Sequence, residues 1–121
     1  MELYVGGMAQ GKLSYVLGRH PELSEKDVYD AARDDISGLS GKKIIDHFHM
    51  LVRSGNKKEI IEELIRDDSL IIISDEIGSG VIPADEKEIH YREDTGRYLC
   101  LIAARSVHFE RIICGIGQVL K

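Results

Sequence analysis

The sequence predicts an α/β protein built on a short, mainly parallel β-sheet. Apolar runs alternate with polar stretches of helical spacing, and a glycine-rich segment follows the first run. The run at residues 70–73 is apolar throughout and mostly β-branched, which is typical of a strand buried on both faces. The expected strands lie near residues 2–6, 43–49, 69–74 and 109–114, with an antiparallel C-terminal arm at 118–120.

Helices are predicted between these strands from the spacing of apolar residues. Positions i, i+3 and i+4 are apolar over residues 11–19, and His20-Pro21 ends that helix because the residue before proline avoids the helical region. Ser24 with Asp27 three positions later has the pattern of a helix N-terminus and predicts a second helix through residue 33. A long helix is expected over residues 85–106.

Composition restricts the classes of protein to consider. A length of 121 residues suits a single domain over residues 1–121. The net charge of −5 argues against non-specific nucleic-acid binding. No apolar stretch approaches the ~20 residues that span a bilayer, and the first residues lack a signal-peptide pattern. Cys100 and Cys114 lie in apolar runs, so we expect buried thiols and a cytoplasmic protein.

A glycine-rich motif carries the strongest chemical signal. Residues 6–12 read G-x-x-x-x-G-K and stand between a predicted strand and a predicted helix, which is the context of a phosphate-binding loop. The glycines let backbone amides surround a phosphate, and the lysine reaches its terminal oxygens. We therefore predict a three-layer P-loop NTPase-like domain. Its candidate nucleotide-binding residues are Gly6, Gly7, Met8, Ala9, Gln10, Gly11, Lys12, Leu13 and Ser14.

The motif departs from the usual pattern at one position. A hydroxyl residue that binds Mg²⁺ normally follows the lysine, whereas this chain has Leu13, with Ser14 one place later. One helical position rotates a side chain by about 100°, so Ser14 is not an automatic substitute. The alternative interpretation of the motif is a glycine-rich turn that carries a surface lysine.

Carboxylates follow two of the predicted strands. Asp46 ends one strand and is a candidate Mg²⁺ ligand or an exposed strand-end residue. Asp75 and Glu76 follow another, where they could hold a metal, accept a hydroxyl proton or cap a turn. His47 and His49 would share one face of a strand and Asp46 the other, so the histidines do not predict a zinc site.

Motifs in the second half of the chain resemble one enzyme family. Residues 74–83, SDEIGSGVIP, are similar to the N-E-V-G-x-G-I-V-P segment of the adenosylcobinamide kinase / adenosylcobinamide-phosphate guanylyltransferase family of cobalamin biosynthesis. Residues 91–93 and 96–97 resemble its F-R-D and G-R, and residues 114–121 its terminal S-G-I-P-x-x-x-K. Residues 44–48 align with its L-L-D-C-L strand, and residues 6–12 with its phosphate loop.

The resemblance implies a kinase that uses ATP or GTP with Mg²⁺ to phosphorylate the aminopropanol hydroxyl of adenosylcobinamide. It implies that Lys12 and Glu76 are catalytic, that Asp46 and Glu76 serve the metal, and that nucleotide and corrinoid are the ligands. It also implies a homo-oligomer, commonly a trimer.

Departures from the family pattern leave three functional hypotheses open. Residues 21–41 contain no histidine, so the guanylyl transfer that the family performs through a histidine is expected to be lost. Leu13, Ile89, Leu99 and Asp75 replace polar or amide residues of the family. The hypotheses are a reduced kinase, a non-catalytic relative that binds nucleotide or corrinoid or acts as a partner subunit, and an oligomeric scaffold.

Overall fold

The fold is described by a computed structural model that covers residues 1–76 and 85–121. Its strands are β1 Glu2–Gly6, β2 Val28–Asp30, β3 Ile44–Asp46, β4 Ile71–Asp75, β5 His108–Ile113 and β6 Ile116–Val119. Its α-helices are α1 Lys12–Arg19, α2 Phe48–Arg53, α3 Lys58–Arg66 and α4 Glu86–Arg105.

The six described strands form one mixed, mostly parallel sheet in the order β2-β3-β4-β1-β5-β6. Strands β1 to β5 are mutually parallel, and β6 pairs antiparallel with β5 as a C-terminal hairpin. The predicted α/β class and the antiparallel arm are therefore confirmed. Because the carboxyl ends of parallel strands meet at one edge, the segments after β1, β2, β3 and β4 lie together there.

Alternating residues of the central strand enter two separate cores. Leu3 and Val5 of β1 pack with residues of α2, α3 and α4. Tyr4, between them, packs with Val16 of α1 on the other face of the sheet. This alternation follows from the period of two in a strand, and it gives the layer order helix, sheet, helix.

The predicted second helix is wrong. Residues 25–27 form one 3₁₀ turn, Glu25–Asp27, and the chain then enters β2. The N-terminal pattern itself is real, since the backbone N–H of Ser24 donates to Asp27 Oδ2 at 3.0 Å. The β-propensity of Val28 and Tyr29, with the pairing of β2 on β3, overrides the helix start.

The predicted strand over residues 43–49 is also too long. Strand β3 ends at Asp46, His47 adopts a left-handed conformation with φ 54°, and α2 begins at Phe48. The expectation that His47 and His49 share one face of a strand is therefore wrong. His47 lies at the turn, and His49 lies on the helix.

Three further expectations concern the surface and the remaining loop. Both cysteines are exposed, so their prediction as buried core residues is wrong. Among the described helices, none combines the length and apolarity that crossing a membrane requires. Residues 77–84, which include most of the segment with the family resemblance, lie outside the described residues.

Gly6 is required where β1 meets its neighbours on both sides. It pairs with Asp75 of β4 and Ile112 of β5. A Cβ atom added at Gly6 would collide with the carbonyl oxygen of Ile112. The end of the central strand thus has space only for a hydrogen atom.

We predict that Gly6→Ala lowers the free energy of unfolding by about 1–3 kcal/mol, because the methyl group forces the strands apart. The matched control is Gly96→Ala in α4, where nothing lies within 4 Å of the added Cβ. That variant should gain about 0.5–1 kcal/mol from helix propensity. Urea unfolding of both variants measures the difference, and equal effects would contradict the packing constraint.

Glu110 links β5 to α1 through a buried hydrogen-bonded cluster. Its side chain is 1% exposed; Tyr15 donates its hydroxyl to Oε1 at 2.7 Å, and His108 Nε2 lies 2.8 Å from Oε2. Burial raises the pKa of Glu110, but the hydrogen bonds from His108 and Tyr15 and the charge of Arg19 outweigh it, so its pKa lies below the ordinary value.

A lowered folded-state pKa means that ionised Glu110 stabilises the fold above the unfolded-state pKa of about 4.3, and that this stabilisation is lost as pH falls through the folded-state pKa. Glu110→Gln should therefore cost about 1–3 kcal/mol at pH 7 and progressively less below about pH 4. Thermal unfolding across pH 3–7 tests this. The exposed control Glu63→Gln should stay within about 0.5 kcal/mol of wild type at every pH, and a pH-independent loss for Glu110→Gln would contradict the assignment.

Candidate functional site

The glycine-rich loop connects β1 to α1 at the carboxyl edge of the sheet. Gly11 has φ +79°, a left-handed conformation that glycine adopts without strain, and α1 begins at the next residue. Met8 projects outward with 81% of its surface exposed. The predicted strand–loop–helix context of the motif is thus present.

The loop is held against the β5–β6 hairpin. The backbone N–H of Gly115 donates to the carbonyl oxygen of Gln10 at 2.9 Å, and the N–H of Cys114 donates to Gln10 Oε1 at 2.6 Å. These bonds use the carbonyl and side-chain oxygen of Gln10, which leaves the backbone N–H groups of residues 7–10 without a bond to the hairpin. Backbone N–H groups of a glycine-rich loop are donors of the kind that bind phosphate oxygens.

Lys12 is not a surface lysine. Only 7% of it is exposed; Nζ donates to the carbonyl oxygen of Gly7 at 2.7 Å and lies 2.8 Å from Asp75 Oδ1. The side chain thus folds back over its own loop and pairs with the end of β4. A buried ammonium group with a carboxylate partner and a carbonyl acceptor is electrostatically balanced.

His49 orients the carboxylate that Lys12 contacts. The backbone N–H of Asp75 donates to His49 Nδ1 at 3.2 Å, so Nδ1 is the accepting nitrogen and the proton lies on Nε2. Nε2 is 3.4 Å from Asp75 Oδ2. Burial lowers the pKa of His49, although the Asp75 charge opposes this, and a low pKa favours the neutral ring. Sequence reasoning missed this role, because the contact forms only when α2 places His49 against the end of β4.

Glu76 is occupied by a different partner. Its two carboxylate oxygens contact Arg111 of β5, at 2.7 Å from Nε and 3.1 Å from the guanidinium NH2 group. Its backbone N–H donates to the carbonyl oxygen of Gly6 at 2.9 Å. Glu76 therefore lies beside the loop, but its carboxylate already neutralises a cation, and its predicted catalytic and metal roles would require it to share or release Arg111.

Asp46 belongs to a second acidic group at the same edge. Its residue surface is 5% exposed, Asp30 of β2 is its register partner, and His47 follows it. Burial raises the pKa of Asp46, and the charge of His47 and the hydrogen bond from its backbone oppose that effect. Asp30 was not identified from the sequence, since β2 itself was not predicted. Asp30 directly follows Val28 and Tyr29, which favour strands, and this pattern could have revealed β2 and the residue that ends it.

The position after Lys12 faces the core. Leu13 packs against the cluster that contains Tyr4 and Ile112, whereas Ser14 is exposed. The loop therefore lacks a hydroxyl at the position that a metal-binding loop needs, and Ser14 does not replace it.

Comparison with known proteins leaves the family of this chain unassigned. No protein-family model matches the chain, and a search of curated proteins finds no match.

We predict an energetic coupling between Lys12 and Asp75. Lys12→Met and Asp75→Asn should each cost roughly 2–4 kcal/mol, because each leaves one partner buried without its counter-charge. The double variant should cost at least about 1 kcal/mol less than the sum, since neither charge then remains.

Denaturant unfolding of the four proteins measures the coupling. The matched control is the exposed pair Arg97–Asp94, also 2.8 Å apart, for which the cycle of Arg97→Met and Asp94→Asn should give about 0.5 kcal/mol or less. Additive losses at Lys12 and Asp75 would contradict the ion pair.

Proposed function

We propose that this chain binds a nucleoside triphosphate at residues 6–12 and acts as a kinase that transfers the terminal phosphoryl group to an alcohol. The observation that carries the proposal is the strand–loop–helix at the end of β1, with buried Lys12 folded across the loop. Phosphoryl transfer depends chiefly on positioning and on stabilising charge, and these residues can supply both.

The first acceptor to test is the aminopropanol hydroxyl of adenosylcobinamide, which the family resemblance suggests. The resemblance rests on sequence motifs, of which residues 44–46 form β3 and Gly96-Arg97 lies within α4. Residues 21–41 contain no histidine, so the proposed activity ends at phosphorylation and does not include guanylyl transfer.

Lys12 would exchange partners when nucleotide binds. Its Nζ lies against Gly7 and Asp75, and a phosphate seated in the loop offers stronger negative charge at the same place. Asp75 then remains beside the lysine, held by His49, and limits how far the ammonium moves. The backbone N–H groups of the loop and the N-terminus of α1 would face the remaining phosphate oxygens.

The residues fit Mg²⁺ only in part. Asp46 offers the hard oxygen ligand that Mg²⁺ prefers, but Leu13 supplies no hydroxyl and Arg111 holds Glu76. Magnesium would therefore be held mainly by nucleotide phosphates and water, with Asp46 as its protein contact. When bound, it would neutralise phosphate charge; positioning the phosphates would remain the task of Lys12 and the loop amides.

A second candidate is a non-catalytic nucleotide-binding protein. The specific observation in its favour is that Asp75 and Glu76, two carboxylates beside the loop, are both paired with basic side chains. A carboxylate held in that way is a poor acceptor for a hydroxyl proton.

The test is calorimetric titration of ATP and GTP, each with and without Mg²⁺, into wild type, Lys12→Ala and the exposed-lysine control Lys26→Ala. We expect binding by wild type and Lys26→Ala and a loss of at least tenfold in Lys12→Ala. Circular dichroism establishes that each variant is folded. An absence of nucleotide binding by wild type would overturn both candidates.

The two candidates differ in turnover. The kinase should release ADP or GDP when adenosylcobinamide is added and should bind nucleotide more tightly with Mg²⁺. Tight binding without turnover, and without a preference for Mg²⁺, would favour the non-catalytic protein.

A further inference from the structure

Two acidic residues and a histidine meet at the ends of two neighbouring strands. Asp30 ends β2 and Asp46 ends β3, and they are register partners, so their side chains emerge on the same face of the sheet. His47 follows Asp46 and turns its ring back toward both. The group therefore combines two carboxylates and one imidazole, each from a segment that the sheet holds in place.

The separations match those of ligands around a small metal ion. His47 Nδ1 lies 2.8 Å from Asp30 Oδ1 and 3.4 Å from Asp46 Oδ2, and one ligand atom from each residue lies within 4.8 Å of the others. With metal–ligand bonds of about 2.1 Å, adjacent ligand atoms are about 3.0 Å apart in an octahedral site and about 3.4 Å apart in a tetrahedral one. Small side-chain rotations would close the set around an ion.

Asp46 is the most buried member of this group. Its side chain is 8% exposed, and Oδ1 accepts the backbone N–H of His47 at 2.9 Å. Oδ2 faces His47 Nδ1 at 3.4 Å, and the same nitrogen lies 2.8 Å from Asp30 Oδ1. One imidazole N–H thus faces two carboxylates and lies closer to Asp30 Oδ1 than to Asp46 Oδ2. A buried carboxylate in this position is costly unless a positive charge completes its surroundings.

We propose that Asp30, Asp46 and His47 bind a first-row divalent transition-metal ion of the Zn²⁺ or Mn²⁺ type. The imidazole disfavours Mg²⁺ and Ca²⁺, which prefer oxygen ligands alone; Zn²⁺ binds both imidazole nitrogen and carboxylate oxygen, and Mn²⁺ suits a set in which carboxylates predominate. The metal would bind Nδ1 of His47. The proton that Nδ1 donates toward Asp30 would then be released or would move to Nε2. The site requires neither nucleotide nor Lys12, and it therefore goes beyond the proposed function.

The site is also oriented and accessible. The backbone N–H of Ala32 donates to Asp30 Oδ1 at 2.9 Å and orients that carboxylate, as outer-shell hydrogen bonds do for metal ligands. The His47 side chain is 39% exposed and that of Asp30 19%, so an ion can enter from solvent. Three protein ligands leave coordination positions for water or for an oxygen atom of a ligand.

The test titrates Zn²⁺ and Mn²⁺ into the chelator-treated full chain without nucleotide, with Co²⁺ as a visible-absorption probe of coordination. Wild type should bind one equivalent of at least one of these ions. His47→Asn and Asp30→Asn should weaken that binding by about 10–100-fold. Asparagine is chosen at position 47 because it tolerates the left-handed backbone found there.

The matched control is His20→Gln at the opposite edge of the sheet. His20 also lies between two carboxylates, at 3.2 Å from Glu2 and 3.1 Å from Glu22, and its replacement should leave metal binding unchanged. The metal should raise the melting temperature of wild type and not that of His47→Asn. If His47→Asn fails to fold by circular dichroism, Asp30→Asn decides the question.

Three results would overturn the site: no stoichiometric binding by wild type, unchanged affinity in the folded Asp30→Asn or His47→Asn variant, or an equal loss in His20→Gln. Lys12→Ala separates this proposal from the proposed function, because it should weaken nucleotide binding at least tenfold and retain metal binding. A chain that binds metal but no nucleotide would refute the kinase alone, and the reverse result would refute the metal site alone.

Discussion

The buried ion pair between Lys12 and Asp75 is the interaction on which the candidate site depends. It joins the first residue of α1 to the last residue of β4, and it lies beside Gly6, where β1 has no space for a side chain. Breaking such a pair costs several kcal/mol, because the remaining charge stays in a poorly solvated place. The glycine loop is therefore closed at one end by strand packing and at the other by an electrostatic contact.

Ion pairs balance part of the acidic charge at the carboxyl edge of the sheet. Asp75 is balanced by Lys12 and Glu76 by Arg111, each through a contact of 2.7–2.8 Å. Asp30 and Asp46 differ, since the basic group between them is one imidazole. The edge thus separates into a part whose charges are paired and a part whose negative charge exceeds its positive charge. The proposed phosphate binding would use the first part, and the proposed transition-metal site would use the second.

Sequence reasoning predicted the parts of this arrangement that depend on local patterns. The β-branched run predicted β4, the apolar spacing over residues 11–19 predicted α1, and the glycine motif predicted the loop before it. It failed where tertiary pairing overrides a local signal: Ser24 and Asp27 do begin a turn, but β2 continues from it because β3 offers a partner. Missing β2 removed Asp30 from consideration, and extending β3 placed His47 and His49 on a strand that ends before them. The pairing of Glu76 with Arg111 was out of reach for the same reason, since nothing local relates β4 to β5.

Asp46 connects the two proposed ligands. In the proposed nucleotide site it would be the protein contact for Mg²⁺, and in the proposed metal site it would share an ion with Asp30 and His47. One carboxylate can bridge two ions about 3.5–4 Å apart, so the two uses are compatible.

A nucleotide that approaches the loop also meets the repulsion of Asp30 and Asp46, which are close enough to interact with one another. An ion held between them would remove that repulsion while leaving the Lys12–Asp75 contact free to exchange. By thermodynamic linkage, if the ion raises the affinity for nucleotide by some factor, nucleotide raises the affinity for the ion by the same factor. The negative charge of Asp30 and Asp46 would then couple the binding of the metal ion to the binding of nucleotide.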